Sequence, residues 1–198
     1  MNERRKRVGD CAAILPGHSL KARARHEPEG VYQVIMASHL SEAEAYRYQP
    51  RHALRMTPGR NMDKYRVHAG DILFIARGTH NHAVVVESVP DHTIASGNLY
   101  ILRTRDDVVP QYLAWCVNQA PTQAEIAQAR TGAGTPIVQR SAFADIVIPL
   151  PPLARQEKIA RLGDLMTKER ALRKQLLEQT EALHKLMGTR LLKQLQPE

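Results

Sequence analysis

Few residues in this chain are of types and spacings that could do chemistry. Thr79-His80-Asn81-His82 puts two imidazoles at i and i+2. Histidine is the commonest metal ligand and the usual acid–base group near neutral pH. The segment could share a cation or serve a His-Asn-His nuclease. A protein metal site needs three or four ligands, and the other histidines (His18, His26, His39, His52, His68, His92 and His184) keep no fixed spacing to this pair. A His-Asn-His nuclease also needs a ββα-metal setting, whereas strand-like Ala83 to Val86 follows here. A polar hairpin tip is the leading reading, and a metal-dependent nuclease using His80 and His82 is the weaker one.

Other catalytic signatures are missing. There is no GxxxxGK[ST] phosphate loop, no glycine-rich dinucleotide fingerprint after a strand and no GxSxG elbow. Pro149-Leu150-Pro151-Pro152 lacks the amide and the aromatic of an Asn-Pro-Pro-aromatic methyltransferase motif. Binding is what remains. Thr131-Gly132-Ala133-Gly134-Thr135 follows Arg130 and precedes Gln139 and Arg140. Its glycines let a backbone approach phosphates or base edges. Arginine pairs best with guanine and glutamine with adenine. Arg77-Gly78-Thr79-His80-Asn81 is a second loop of similar chemistry, and the turn at Thr57 to Asn61 adds Arg60 and Asn61. The DNA-binding candidates are Arg60, Asn61, Arg77, Thr79, His80, Asn81, Arg130, Thr131, Thr135, Gln139 and Arg140. Read blandly, the same segments are plain connectors, and residue types alone leave both readings open.

The elements that must position these loops are short. Val31 to Met36, Ile72 to Ile75, Ala83 to Val86, Asn98 to Arg103 and Ile146 to Ile148 read as strands between turn signals, which argues for a sandwich or twisted barrel. Ile72–Ile75 and Ala83–Val86 are expected to pair as a hairpin. Pro110 and Pro121 open two short helices, and Ser141 to Asp145 has room for one helical turn. Lys21 to Gly30 reads as a basic loop. Arg4 to Arg7 reads as either a flexible arm on phosphates or a solvated terminus.

From Leu153 to Leu195 the chain reads as one helix. Leu162, Leu165, Leu172, Leu176, Leu183 and Leu186 recur at coiled-coil spacing, and Glu169 and Gln179 fall on the same seam. Polar seam positions often set register or orientation. About 40 residues make a rod about 60 Å long. Such a rod is expected to seek another helix and not to fold back on its own chain. Its polar face mixes signs and carries no Trp or Phe, which suits a helical partner better than lipid.

The formal net charge of the 198 residues is +8, which favours a polyanionic partner. The two cysteines, Cys11 and Cys116, form no CxxC pair and are expected to be reduced in a cytoplasmic protein. No run of 18 apolar residues predicts a membrane span, and the first residues do not read as a signal peptide.

The order of these features resembles the specificity subunits of type I restriction–modification systems. Ile146-Val147-Ile148-Pro149-Leu150-Pro151-Pro152-Leu153-Ala154-Arg155-Gln156-Glu157-Lys158-Ile159 is similar to the family's join between a recognition domain and a long spacer helix, with Arg155 where Glu is frequent. Val8-Gly9-Asp10, Gly70-Asp71-Ile72-Leu73 with Arg77-Gly78, Asn98 to Arg103 with Pro110-Gln111-Tyr112-Leu113, and Thr131 to Phe143 resemble further family segments in the family's order. The resemblance implies an α+β fold: a β-rich target recognition domain with short helices over residues 1–150, then one long coiled-coil helix over 151–198. A full subunit resembles two such units in tandem, so one unit is expected to form a homodimer through the leucine seam. The implied function is reading a bipartite, palindromic double-stranded DNA site and positioning adenine methyltransferase subunits, with a restriction subunit left open. The chain itself would be non-catalytic and cofactor-free, with S-adenosylmethionine on the methyltransferase. The alternative is a stand-alone DNA-binding dimer acting as a regulator or a defence or anti-defence decoy.

Overall fold

The computed structural model describes residues 4–20, 26–52, 54–58 and 61–194. In chain order the elements are β1 (Arg5–Arg7), α1 (Val8–Cys11), β2 (Ala12–Pro16), β3 (Tyr32–Ile35), β4 (Tyr46–Arg47), β5 (Arg55–Met56), β6 (Ile72–Ile75), β7 (Ala83–Ser88), β8 (Thr93–Ala95) and β9 (Leu99–Thr104). Then follow α2 (Pro110–Val117), α3 (Ala120–Gln128), β10 (Arg130–Thr131), β11 (Ile137–Val138), α4 (Arg140–Asp145), β12 (Val147–Pro149) and α5 (Leu153–Gln194).

A five-stranded sheet in the order β2-β9-β6-β7-β4 forms the centre. Its middle strand, β6, is buried at all four positions. Strand side chains alternate between faces, so an unbroken apolar run implies cover on both sides. Ile72 and Phe74 enter a cluster with Tyr112, Leu113 and Phe143 from the helices. Leu73 and Ile75 enter a second cluster with Ile35 and Ala95 from a three-stranded sheet, β5-β3-β8. β9 divides in the same way, with Tyr100 and Leu102 on the helical side and Leu99 and Ile101 on the other.

The fold is α+β, a β-rich head with short helices and one long terminal helix. The expected hairpin is present, with Ile72 opposite Val85 and Phe74 opposite Ala83. The expectation of a sandwich or barrel captured only one side. Two sheets do pack face to face, but helices cover the other face of the larger sheet.

Two further expectations are corrected. Arg5–Arg7 is a strand paired antiparallel with β12, and the Lys6 ammonium donates to Asp107 at 2.8 Å. A free basic arm does not describe these residues, because β12 offers them a ladder. The long helix does pack on its own head. Gln156, Ala160 and Gly163 are buried on one face, and α5 lies against α2. The leucine period missed this contact because small residues make it. Gly163 lets the Trp115 indole come so close that a Cβ would overlap it. Gln156 closes the joint. Its carbonyl oxygen accepts from Val109 N at 2.9 Å, and its amide donates to Asp107 O at 2.9 Å and Pro151 O at 2.8 Å. Beyond Gly163 the helix is mostly exposed.

Candidate nucleic-acid interface

The loops that could bind DNA come from two segments far apart in sequence. β10 and β11 form a small antiparallel hairpin, with Arg130 opposite Val138 and Thr131 opposite Ile137. Gly132 and Gly134 in its tip have φ of 99° and 90°. Such left-handed backbone is costly for side chains with a Cβ. The hairpin is tied to the end of β6: Gly78 N donates to Pro136 O at 2.8 Å, Val138 N to Ala76 O at 2.9 Å, and the Tyr100 hydroxyl to Val138 O at 2.9 Å. The 77–80 segment and the 131–140 segment therefore form one surface.

On that surface Arg77, Thr79, His80, Thr131, Thr135, Gln139 and Arg140 are exposed. The Gln139 amide lies 3.3 Å from Thr131 Oγ1. Burial pushes the Tyr100 hydroxyl above its ordinary pKa, while Arg140 and Arg77 both pull it down. Among the described residues neither arginine is held in an ion pair. Beside them, Gln139, Arg140, Ser141 and Ala144 face Gly9, Ala12, Ala13 and Ile14 across an open cleft of about 480 Å³.

Arg130 and Asn81 are engaged differently. Asn81 is 2% exposed. Its amide donates to Ile75 O at 2.9 Å, and its side-chain oxygen accepts from Arg130 Nε at 2.7 Å. A second Arg130 nitrogen donates to Thr79 O at 2.6 Å, and Gln123 donates to Asn81 O at 2.8 Å. In this structure the Asn81 side chain is buried and bonded at both its oxygen and its amide. Arg130, half-buried, holds the 79–81 segment through its two bonds. Neither the clamp nor the support from Gln123 was visible in the sequence, because the partners lie more than forty residues apart.

Asn61 sits elsewhere. Its side-chain oxygen accepts from Asp63 N at 2.7 Å and caps the turn at Asp63–Tyr65. Arg60 lies outside the described residues, as does the Lys21 to Arg25 part of the basic loop. His80 and His82 separate: His80 is exposed, while His82 is buried with its Nδ1 3.3 Å from Glu42. Burial holds His82 below its ordinary pKa, with Glu42 opposing and His80 assisting. Among the described residues no group of three His, Cys, Asp or Glu is placed to hold a metal. Cys11 and Cys116 are buried free thiols, and burial pushes both up to about 11. No helix among the described residues is long and apolar enough to cross a membrane.

Residues 4–182 match the family model of the type I restriction modification DNA specificity domain. The chain belongs to this family. Solved structures share its specificity-domain fold. One, described as the structural basis underlying complex assembly and conformational transition of the type I R-M system, matches with a TM-score of 0.70 at 19% identity, over 93% of this chain and 43% of that one. The HsdS subunit from Thermoanaerobacter tengcongensis matches with a TM-score of 0.61 at 19% identity, over 87% and 39%. The type I restriction–modification S subunit from M. genitalium gives 0.54 at 13% identity, over 82% and 38%. The chain thus spans about two-fifths of the length of these subunits. No curated protein matches it.

Proposed function

We propose that this specificity domain reads half of a split DNA site, and that two copies joined through α5 read the whole. The observation that carries the reading is the β10–β11 hairpin pinned beside Arg77–Gly78. The pinning gathers Arg77, Thr131, Thr135, Gln139 and Arg140 on one exposed surface. Preorganised loops lose little entropy on binding. Arg140 and Gln139 are the base-reading candidates. Arg77, Thr79, His80, Thr131 and Thr135 suit phosphate and sugar contacts that set orientation. The net charge of +8 supplies non-specific affinity.

In this reading the chain catalyses nothing. It places adenine methyltransferase subunits on the site, S-adenosylmethionine binds those subunits, and a restriction subunit docks on the same assembly where one is present. A symmetric dimer reads inverted half-sites. Binding of the Gln139→Ala and Arg140→Ala proteins to target and random duplexes tests the reading surface. Loss on the target alone supports it. Equal loss on every sequence marks the residues as phosphate contacts.

A further inference from the structure

Among the described residues β1 and β12 form a sheet of two strands with no third. Residues opposite each other share a face of such a ribbon, and its two faces differ. Lys6 and Ile148 turn inward. Ile148 is fully buried, and the Lys6 ammonium reaches Asp107 at 2.8 Å. Arg5 opposite Pro149 and Arg7 opposite Val147 make the other face, and all four are exposed. The ribbon therefore holds two guanidinium groups toward solvent on a backbone fixed by hydrogen bonds.

The free edge of β1 adds donors. Arg4 O accepts from Leu150 N at 2.7 Å, and Val8 N donates to Ile146 O at 2.8 Å. Bonds between antiparallel strands fall on every second residue. The backbone groups of Arg4, Lys6 and Val8 thus face β12, and those of Arg5 and Arg7 face the free edge. Arginine side chains and backbone N–H groups are common donors to DNA phosphates.

This face continues the hairpin surface. α4 begins at Arg140 and ends at Asp145, whose Oδ1 lies 3.2 Å from Arg7 Nη1. Five residues of helix place that pair about 7.5 Å from Arg140, and Arg5 stands about 6.6 Å beyond Arg7 along the strand. Arg140 and Gly9, two residues after Arg7, both line the open cleft beside the hairpin. In β1, α1, α4 and the β10–β11 hairpin the acids are Asp10 and Asp145. The Arg7–Asp145 pair is exposed on both sides. Such pairs are weak, so a phosphate can displace the carboxylate. Among the described residues Arg5 forms no ion pair.

We infer that Arg5 and Arg7 hold the DNA backbone beside the half-site, so that the duplex runs from the β10–β11 hairpin along α4 toward the root of α5. The inference rests on the proposed half-site reading and adds contacts that carry no sequence information. At 3.4 Å per phosphate on each strand, the stretch from Arg140 to Arg5 spans about four base pairs.

Salt titration of duplex binding by the full chain tests the contact, on a target and on a random sequence. Arg5→Ala with Arg7→Ala should lower the slope of log affinity against log salt by about 1.8, since each phosphate contact contributes about 0.9. Affinity should fall on the order of tenfold, by the same factor on both duplexes. Both side chains are exposed, so the melting temperature should not change. Arg5→Lys with Arg7→Lys keeps the charges and should keep the slope. An unchanged slope in the alanine chain would overturn the inference and leave the arginines as guards of a free strand edge. Loss on the target alone would overturn it by making them base contacts. Lost association with the methyltransferase subunit, with DNA binding intact, would overturn it in favour of a protein interface. Wild-type protein that binds both duplexes equally defeats the half-site reading itself. Wild-type preference for the target, with an alanine chain of the same slope, defeats the backbone contact alone.

Discussion

Gly163 lies against the Trp115 indole so closely that a methyl group on its Cα would overlap Cδ1 and Nε1 of the ring. This contact, with Gln156 beside it, sets the direction in which α5 leaves the head. Glycine inside a helix usually costs up to about 1 kcal/mol relative to alanine. At Gly163 that cost is offset by the packing it permits. Gly188 has nothing within 4 Å of the same position. The two glycines should respond with opposite signs. Gly163→Ala should lower stability by about 1–3 kcal/mol through overpacking, and Gly188→Ala should raise helix stability by up to about 1 kcal/mol. Urea midpoints of the two variants check this. Equal gains from both would show that the joint yields freely.

Gln156→Leu removes three hydrogen bonds from the joint and leaves Val109 N and two carbonyls without that partner. Buried groups left in this way cost about 1–3 kcal/mol each when no water reaches them. A loss of at least about 2 kcal/mol is expected, with faster amide exchange at Val109. A variant as stable as the wild type, with exchange unchanged, would mean that water replaces the side chain.

Arg130 and Arg140 lie ten residues apart and should behave differently. Arg130→Ala breaks the clamp on Asn81 and Thr79, so thermal stability and DNA affinity should fall together. Arg140→Ala removes an exposed group, so stability should stay within about 0.5 kcal/mol while discrimination at one base pair falls by about 1–3 kcal/mol. Melting curves paired with binding to single-mismatch duplexes distinguish them. Equivalent behaviour of the two variants would reject the division of roles.

Burial holds His39, His52 and His82 below their ordinary pKa. The unfolded chain therefore takes up protons at a higher pH than the folded one. Stability from these groups is complete above about 6.5 and is lost as pH falls from there toward the depressed folded values. The urea midpoint should drop between pH 7.5 and 5.5, and His82→Gln should lessen the drop. A flat profile would show that the rings find water or other partners.

If the rod sets the gap between half-sites, its length is a functional quantity. Seven residues inserted near Thr180 should separate the heads by about 11 Å and widen the gap by about three base pairs at 3.4 Å per step. The half-sites themselves should stay the same. Altered half-sites with an unchanged gap would contradict this role for the rod.

The parts of this fold legible in the sequence are those with local signals. Pro110 and Pro121 in the first turns of α2 and α3 mark helix starts, as Pro151-Pro152 mark the join to α5, the Ile72–Ile75 run marks a central strand, and the leucine period marks the rod. The two candidate loops were also legible, each on its own. Their union was not, because Gly78 and Pro136 meet through backbone bonds that no residue type announces. The clamp on Asn81 was hidden for a related reason. An amide in a polar loop signals hydrogen bonding, and only the position of Arg130 shows that the bonding is internal. The head–stalk joint was hidden because Ala160 and Gly163 carry no hydrophobic period, and their role is to be small.

The central claim is that two copies of this chain read one split, inverted DNA site. Long-read mapping of DNA modified by the chain reconstituted with its methyltransferase subunit tests this most directly. A single bipartite motif is expected, its halves inverted copies separated by a fixed gap, with Arg140→Ala relaxing both halves at the same position. Two unrelated half-sites, or a motif in which that substitution alters one half only, would contradict it.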